Sequence, residues 1–250
     1  MISKNQQKYV RQLEQKKFRV REKAFVAEGP KVVGDLLACG FQPLQIFATD
    51  QWQRDSEEGS VCKGRELISE EELHRISFLQ HPQQVLAVFP IPEPTATAPD
   101  PTKLYLALDD IQDPGNLGTI IRIADWFGID TIFCSPNTAD AWNPKVVQAT
   151  MGSIARVRMI YTPLEPLFCS CQIPIYGTLL TGQNIYTTQL TANGIIVIGN
   201  EGNGISLPIR KLLTHQLLIP SYHTGSNTSA ESLNAAIATA ITCAEFRRRQ

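Results

Sequence analysis

Between residues 104 and 134 the spacing of apolar and polar positions changes twice. Leu104, Leu106 and Leu108 alternate with Tyr105 and Ala107, a short apolar run without helical period, which predicts a buried strand. Asp109 and Asp110 end it, and Asp113-Pro114-Gly115-Asn116 are all turn formers. From there the period lengthens. Leu117, Ile120, Ile121, Ala124 and Phe127 recur at helical spacing, Gly128 stands where a C-terminal cap belongs, and Thr131 to Cys134 reads as the next strand. A β-turn-α-β unit of this kind brings backbone N–H groups to the carboxyl edge of a parallel sheet, where open α/β folds bind ligands. Arg122 interrupts the apolar helix, about 9 Å along its axis from Asn116 at roughly 1.5 Å per residue. A solvated arginine on the outer face is the plain reading of it, and a site residue the other.

The same switching of period continues on both sides. Ser3 caps a helix through Tyr9, Val10 and Leu13, and Phe25 to Ala27 reads as a strand. Glu28-Gly29-Pro30 opens a helix over Lys31 to Ala38 that Gly40 closes, and Leu44 to Ala48 is the next strand. Ser69-x-x-Glu72 is a capping box for a helix through Leu73 and Ile76, followed by a strand at Val85 to Phe89. These elements predict a compact α/β domain over residues 1–89. Five prolines between Pro90 and Pro101 favour an extended, semi-rigid spacer, so residues 90–102 are read as a linker and 103–250 as a second domain. In it, Asn143-Pro144 starts a helix that ends at Gly152, and strands follow at Arg156 to Tyr161, Pro174 to Leu179, Gly194 to Ile198 and Leu217 to Pro220. The strand Gly194 to Ile198 runs into Gly199-Asn200-Glu201-Gly202-Asn203-Gly204, and Ser206 and Pro208 start a short helix. A polar loop from Ser221 to Ala230 leads to a last helix read from Glu231 onward, with Ser232-Leu233-Asn234 in its first turn and Ala236, Ile237, Ala240, Ile241 and Ala244 as its apolar stripe.

Composition changes this picture in two places. At 250 residues the chain is long enough for two modest domains with buried cores, and no apolar run approaches the roughly 20 residues of a membrane helix. With a polar and basic start instead of a signal-peptide core, a cytoplasmic location without membrane partner is expected. The six cysteines have no paired CxxC spacing, so Cys169 and Cys171 are read with the others as reduced, buried thiols and no metal site is expected. The net charge of −1 conceals an asymmetry. Residues 1–31 hold nine Lys and Arg against Glu14, Glu22 and Glu28, a balance of +6, which leaves −7 for the rest. A basic arm on an acidic protein suggests a polyanionic partner, with Lys16, Lys17, Arg19, Arg21 and Lys23 as its contacts; a solvated helix face reads equally well from charge alone.

Three glycines in six residues after Ile198 imply a sharp turn or close approach of a ligand. The spacing G-x-x-G-x-G after a late strand is not the dinucleotide fingerprint, which argues against a nicotinamide dehydrogenase. Taken together and in order, DPGNLGTIIRIAD, IVIGNEGNGIS and LLIPSYHTGSNTSAESLNAAIATAI resemble the three motifs of the SpoU/TrmH family of RNA ribose methyltransferases, in the SPOUT superfamily. FVAEGPKVV at Phe25 to Val33 is similar, more loosely, to that family's small substrate-binding domain. The Ser/Thr/Asn-rich stretch before Ser232 and Ala235 after Ser-Leu-Asn depart from the family pattern.

The resemblance implies S-adenosylmethionine as methyl donor, a ribose 2′-hydroxyl of ribosomal or transfer RNA as acceptor, a homodimer, and a parallel α/β sheet whose C-terminal segment is tied into a trefoil knot. It implies a cofactor pocket at Thr178, Gly199, Ile219 and Leu233 with Gly202 beside them. It also implies that Asn116, Arg122, Glu201, Ser232 and Asn234 converge on the hydroxyl. A guanidinium is effectively always protonated, so Arg122 is expected to hold the adjacent phosphate and stabilise the developing alkoxide. The alternative is an RNA-binding module that keeps the fold without turnover.

Overall fold

Ser3 Oγ accepts from Gln6 N and the Gln6 side chain accepts from Ser3 N, a reciprocal cap that starts α1 (Lys4–Gln12). In this computed structural model, which describes residues 1–55, 65–93, 98–222 and 232–248, α2 (Lys16–Glu22), β1 (Ala24–Glu28), α3 (Pro30–Ala38), β2 (Gln45–Ala48) and α4 (Asp50–Asp55) follow. Then come β3 (Arg65–Leu67), α5 (Glu70–Ile76) behind the expected Ser69/Glu72 capping box, and β4 (Val85–Pro90). The four strands form one sheet in the order β1-β4-β2-β3, antiparallel except for β2 beside β3. Val10 and Leu13 of the first helical segment, Val26, Phe47, Leu73, Ile76, Leu86 and Val88 fill one core against this sheet.

Glu28 is a buried carboxylate at the end of β1, accepting from Ser77 Oγ and from Phe78 N at 2.9 Å. Burial pushes its pKa up, against the pull of those two hydrogen bonds and of Arg11. It ties the C-terminal end of α5 to the sheet.

The second sheet is wholly parallel. Its first three elements are β5 (Leu104–Asp109), α6 (Pro114–Trp126) and β6 (Thr131–Cys134), close to the expected β-turn-α-β unit. After α7 (Pro144–Ala149) and a single 3-10 turn at Ser153–Ala155 come β7 (Arg158–Tyr161), α8 (Leu164–Ser170), β8 (Ile175–Asn184), β9 (Gly194–Gly199), α9 (Leu207–Arg210), β10 (His215–Leu218) and α10 (Ala235–Arg248). The order is β10-β8-β9-β5-β6-β7. All six residues of β5 are buried because both faces are covered, as parallel strands require. Tyr105 and Ala107 pack with Phe133, Leu164, Phe168 and Ile209 on one side, while α6 and α10 pack against each other and α10 lies along β9.

The chain divides into two units, residues 1–93 with 140–156 and residues 94–139 with 157–250. The sequence reading counts 140–156 with the second domain; here it belongs with the first unit. The reason is physical. Arg19 is only 2% exposed, with Nε and Nη2 donating to Asp140 Oδ2 at 3.0 and 2.6 Å and Nη1 donating to the carbonyls of Leu13 and Glu14 at 2.8 and 2.6 Å. Trp142 lies against Phe25 with ring centroids 4.6 Å apart, and α7 packs on β1. Arg19 is therefore buried, contrary to the expectation that it belongs to an RNA-facing surface: its guanidinium faces inward and makes four hydrogen bonds. Lys16, Lys17, Arg21 and Lys23 are exposed, with Lys17 and Arg21 stacked over the Phe18 ring and Lys23 3.1 Å from Glu93.

Cys134 and Cys243 are buried, and burial holds both thiols protonated, that of Cys243 pushed up to about 12. Cys39 and Cys169 are exposed rather than buried. Among the described residues there is no cluster of metal-ligating side chains, and no helix is long and apolar enough to cross a membrane.

Candidate active site

β5 and β9 are neighbours in register, so that Asp109 and Gly199 leave the sheet side by side. Hydrogen bonds join the two loops that follow. Asp109 Oδ2 accepts from Ser206 N at 2.7 Å, Asn200 Nδ2 donates to the carbonyl of Asp110 at 2.7 Å, and the N–H groups of Gln112 and Asp113 point at the Glu201 carboxylate at 3.3 and 3.4 Å. The glycine-bearing loop is a tight hairpin closed by paired bonds between Asn200 and Gly204, which places Glu201 beside its tip. A side chain at Gly199 would collide with the backbone of Gly204 and Ile205, so only glycine permits this approach.

The turn before α6 folds as its residues dictate. Asp113 is the N-cap, accepting from Asn116 N at 2.7 Å, and Pro114 occupies the first helical position, where a missing N–H costs nothing. Asn116 is thereby held at the start of the helix with its amide turned toward the hairpin. Its Nδ2 donates to Glu201 Oε1 at 2.9 Å, and its Oδ1 accepts from Asn234 Nδ2 at 2.8 Å. Asn234 in turn accepts on Oδ1 from Ala236 N and Ile237 N at 2.9 and 3.3 Å, and its carbonyl accepts from Ala238 N. It is the N-cap of α10. The helix begins at Ala235, later than the sequence reading has it, because the Asn234 side chain takes over the orphan N–H groups of the first turn.

Three of the five expected catalytic residues, Asn116, Glu201 and Asn234, thus form one directed chain of hydrogen bonds. It runs from the N-terminus of α10 to the Glu201 carboxylate, which also accepts from the backbone N–H groups of residues 112 and 113, and every amide orientation in it is fixed by its partners. Among the described residues, each asparagine keeps one amide proton free for a ligand. Arg122 is exposed on α6, and among the described residues no hydrogen bond or ion pair engages its guanidinium. Ser232 is exposed two residues before the Asn234 cap and is not bonded into the chain. The stretch before it, residues 223–231, on which the expected polar loop falls, lies outside the described residues.

Three of the positions expected to form a cofactor pocket lie within, at the end of and just beyond three adjacent strands. Thr178 is in β8, its Oγ1 3.3 Å from the Val197 carbonyl; Gly199 ends β9; and Ile219 follows β10. Gly202 N donates to Asn200 Oδ1 at 3.0 Å, and Leu233 is 49% exposed beside the Asn234 cap. Asn200 and the Asp109-Asp110 pair are absent from the site residues expected from the sequence. An Asn directly after a strand and ahead of two glycines is the signal for a side-chain-closed turn of the kind Asn200 makes.

The model of the SpoU rRNA methylase family matches residues 103–244, and that of the MRM3-like substrate binding domain matches residues 4–87. Over 96% of this chain and 95% of the relative, the sequence is 32% identical to the 23S rRNA (guanosine(2553)-2'-O)-methyltransferase RlmP of Bacillus subtilis. A TrmH-family protein from Porphyromonas gingivalis superposes with a TM-score of 0.87 at 41% identity over the whole of both chains. An rRNA methyltransferase from Sinorhizobium meliloti, solved with S-adenosylmethionine bound, gives 0.87 at 29% identity over 100% of this chain and 97% of its own. The match over more than half the chain and the near full-length relative are decisive: this chain belongs to the SpoU rRNA methylase family.

Proposed function

We propose that this protein transfers a methyl group from S-adenosylmethionine to a ribose 2′-hydroxyl of ribosomal RNA. The observation that carries the reading is the hydrogen-bonded chain Glu201–Asn116–Asn234 at the carboxyl edge of the parallel sheet, with the unengaged Arg122 on the same helix as Asn116. Ribosomal RNA is favoured over transfer RNA by the near full-length relative that acts on it.

The strand ends suit this cofactor. Gly199 and Gly202 present backbone without side-chain bulk, Thr178 has its hydroxyl turned to a neighbouring carbonyl, and Ile219 and Leu233 offer aliphatic faces to a nucleoside. When bound, the cofactor supplies an electrophilic methyl group on a sulfonium. The protein's part is to align the attacking 2′-oxygen in line with that methyl and to stabilise it as its proton leaves. The free amide protons of Asn116 and Asn234 orient the ribose, and Glu201 holds Asn116 in place. Arg122 binds the adjacent phosphate and the developing alkoxide through its fork of donors. A C-terminal segment tied into a trefoil knot belongs to this reading and is carried by the family resemblance.

Residues 1–89 act in this reading as the RNA-binding domain, with Lys16, Lys17, Arg21 and Lys23 as phosphate contacts, and the protein works in the cytoplasm. A homodimer through the second domain is part of the proposal. It follows from the family resemblance, and Trp126 at the end of α6 and Ile237 in the first turn of α10, 84% and 52% exposed, are the large apolar side chains that these helices offer to a second copy. Light scattering on the wild type should give twice the 27.8 kDa chain mass, and Ile237→Asp should give the monomer; a monomeric wild type overturns the dimer.

The test of function is transfer of labelled methyl to ribosomal RNA lacking the modification, followed by nucleoside analysis. A labelled 2′-O-methylated nucleoside is the expected product. Label on a base instead of a ribose refutes the proposed chemistry, and RNA binding without any cofactor binding returns the non-catalytic module.

A further inference from the structure

Asp110 adopts a backbone conformation that residues other than glycine rarely take, with φ at +62°. Each of its polar groups is engaged by a neighbouring loop. Its N–H donates to Ser135 Oγ at 2.9 Å, and its carboxylate accepts from Ser135 Oγ and, at 3.3 Å, from Asn137 Nδ2. Its carbonyl accepts from Asn200 Nδ2 at 2.7 Å. Because β9, β5 and β6 are adjacent in the sheet, these bonds join the ends of three consecutive strands at one residue. Asn200 closes the glycine-bearing turn with its other side-chain atom, Oδ1 accepting from Gly202 N and Asn203 N at 3.0 Å each. Glu201 is the next residue, and two positions beyond Asp110 the Gln112 N–H meets its carboxylate.

We propose that Asp110 is a positioning residue for methyl transfer: by holding Asn200 it sets the place of Glu201, and through Glu201 the orientation of the Asn116 amide. The inference rests on the methyltransferase reading above. Backbone held in a sparsely populated region beside a site is a recurrent sign of such a role, and here the hydrogen bonds show what the conformation holds.

Three variants separate this from a purely local turn preference. Asp110→Gly admits the positive φ freely but removes both carboxylate bonds, and Asp110→Asn keeps an acceptor for Ser135. Asn200→Asp keeps the acceptor for residues 202 and 203 but removes the donor to Asp110. Asp110→Gly and Asn200→Asp should each lower kcat about 10- to 100-fold, the effect of a misplacement on the order of 1 Å. S-adenosylmethionine affinity should stay at the wild-type value in Asp110→Gly, and Asp110→Asn should restore most of the rate. In an Asn116→Ala background, Asp110→Gly should add no further loss, since both act through one amide. The side-chain amide resonance of Asn116 should shift in Asp110→Gly and return in Asp110→Asn. Wild-type kcat in Asp110→Gly, or losses that multiply with that of Asn116→Ala, would overturn the inference. If the wild type itself transfers no methyl, the functional reading fails, and the Asn116 resonance decides the positioning: no shift in Asp110→Gly overturns it.

Discussion

Arg122→Lys is expected to lower methyl transfer to RNA by about 10²–10³-fold, the range seen when a donor to a developing oxyanion is lost. The charge is kept in this variant, so the loss measures geometry. A guanidinium presents donors in a fixed fork that spans two phosphate oxygens, or one phosphate oxygen and the ribose oxygen, whereas an ammonium is a compact point charge on a flexible stem. The side chain is well suited to this role. It is exposed on α6, unengaged by any described residue, and on the helix whose N-terminus carries Asn116. Cofactor affinity should be unchanged, because the expected pocket is formed by Thr178 of β8, by the residues at the end of β9 and just after β10, and by Leu233, not by α6. Titration calorimetry with S-adenosylmethionine and single-turnover transfer of labelled methyl make the comparison. Full activity in Arg122→Lys would remove Arg122 from the mechanism, and an equal loss of cofactor binding would make it a pocket residue.

Much of this site is legible in the amino-acid sequence because its parts are local. Asp113-Pro114-Gly115-Asn116 is a strand-to-helix corner by residue type alone, and Asn116 is where the corner puts it. The pairing of Asn116 with Glu201 and Asn234 joins positions 85 and 118 residues apart, and no periodicity encodes it. Only the family motifs connect these positions in the sequence. The extent of β8 is hidden for a different reason. Its second half, Thr181 to Asn184, is polar and exposed, so alternation stops at Leu179 although Gln183 and Asn184 still pair with Leu217 and Leu218 of β10. A side chain at Gly182 would run into the backbone of Gln216, a closeness visible only once β10 is in place. Helix α8 is hard to read because Pro163 and Pro166 flank and enter its first turn, a position proline tolerates but which reads as a break.

Arg19→Ala should destabilise the first unit by about 3–5 kcal/mol, the usual cost of breaking a buried ion pair from one side. The substitution strands three acceptors at once: the Asp140 carboxylate and the carbonyls of Leu13 and Glu14. It also removes the bonds that tie the segment 13–19 to the start of segment 140–156. Charge alone could not reveal this, since Lys16, Lys17, Arg19, Arg21 and Lys23 look alike in a basic run. The helix separates them. In α2, Lys16, Lys17, Val20 and Arg21 point outward and Arg19 inward, so one residue of the five is structural and the other four are exposed, Arg21 paired with Glu22 and Lys23 with Glu93. The contrasting variant is therefore Lys16→Ala/Lys17→Ala/Arg21→Ala. It should leave the urea midpoint at the wild-type value while flattening the salt dependence of RNA binding by about three units of slope at most, one for each phosphate no longer neutralised. Arg19→Ala should lower the urea midpoint, and at concentrations where it remains folded it should keep the wild-type salt slope. A reduced slope in folded Arg19→Ala would mean that its guanidinium leaves Asp140 to meet RNA, and an unchanged slope in the triple variant would move the RNA surface away from α2.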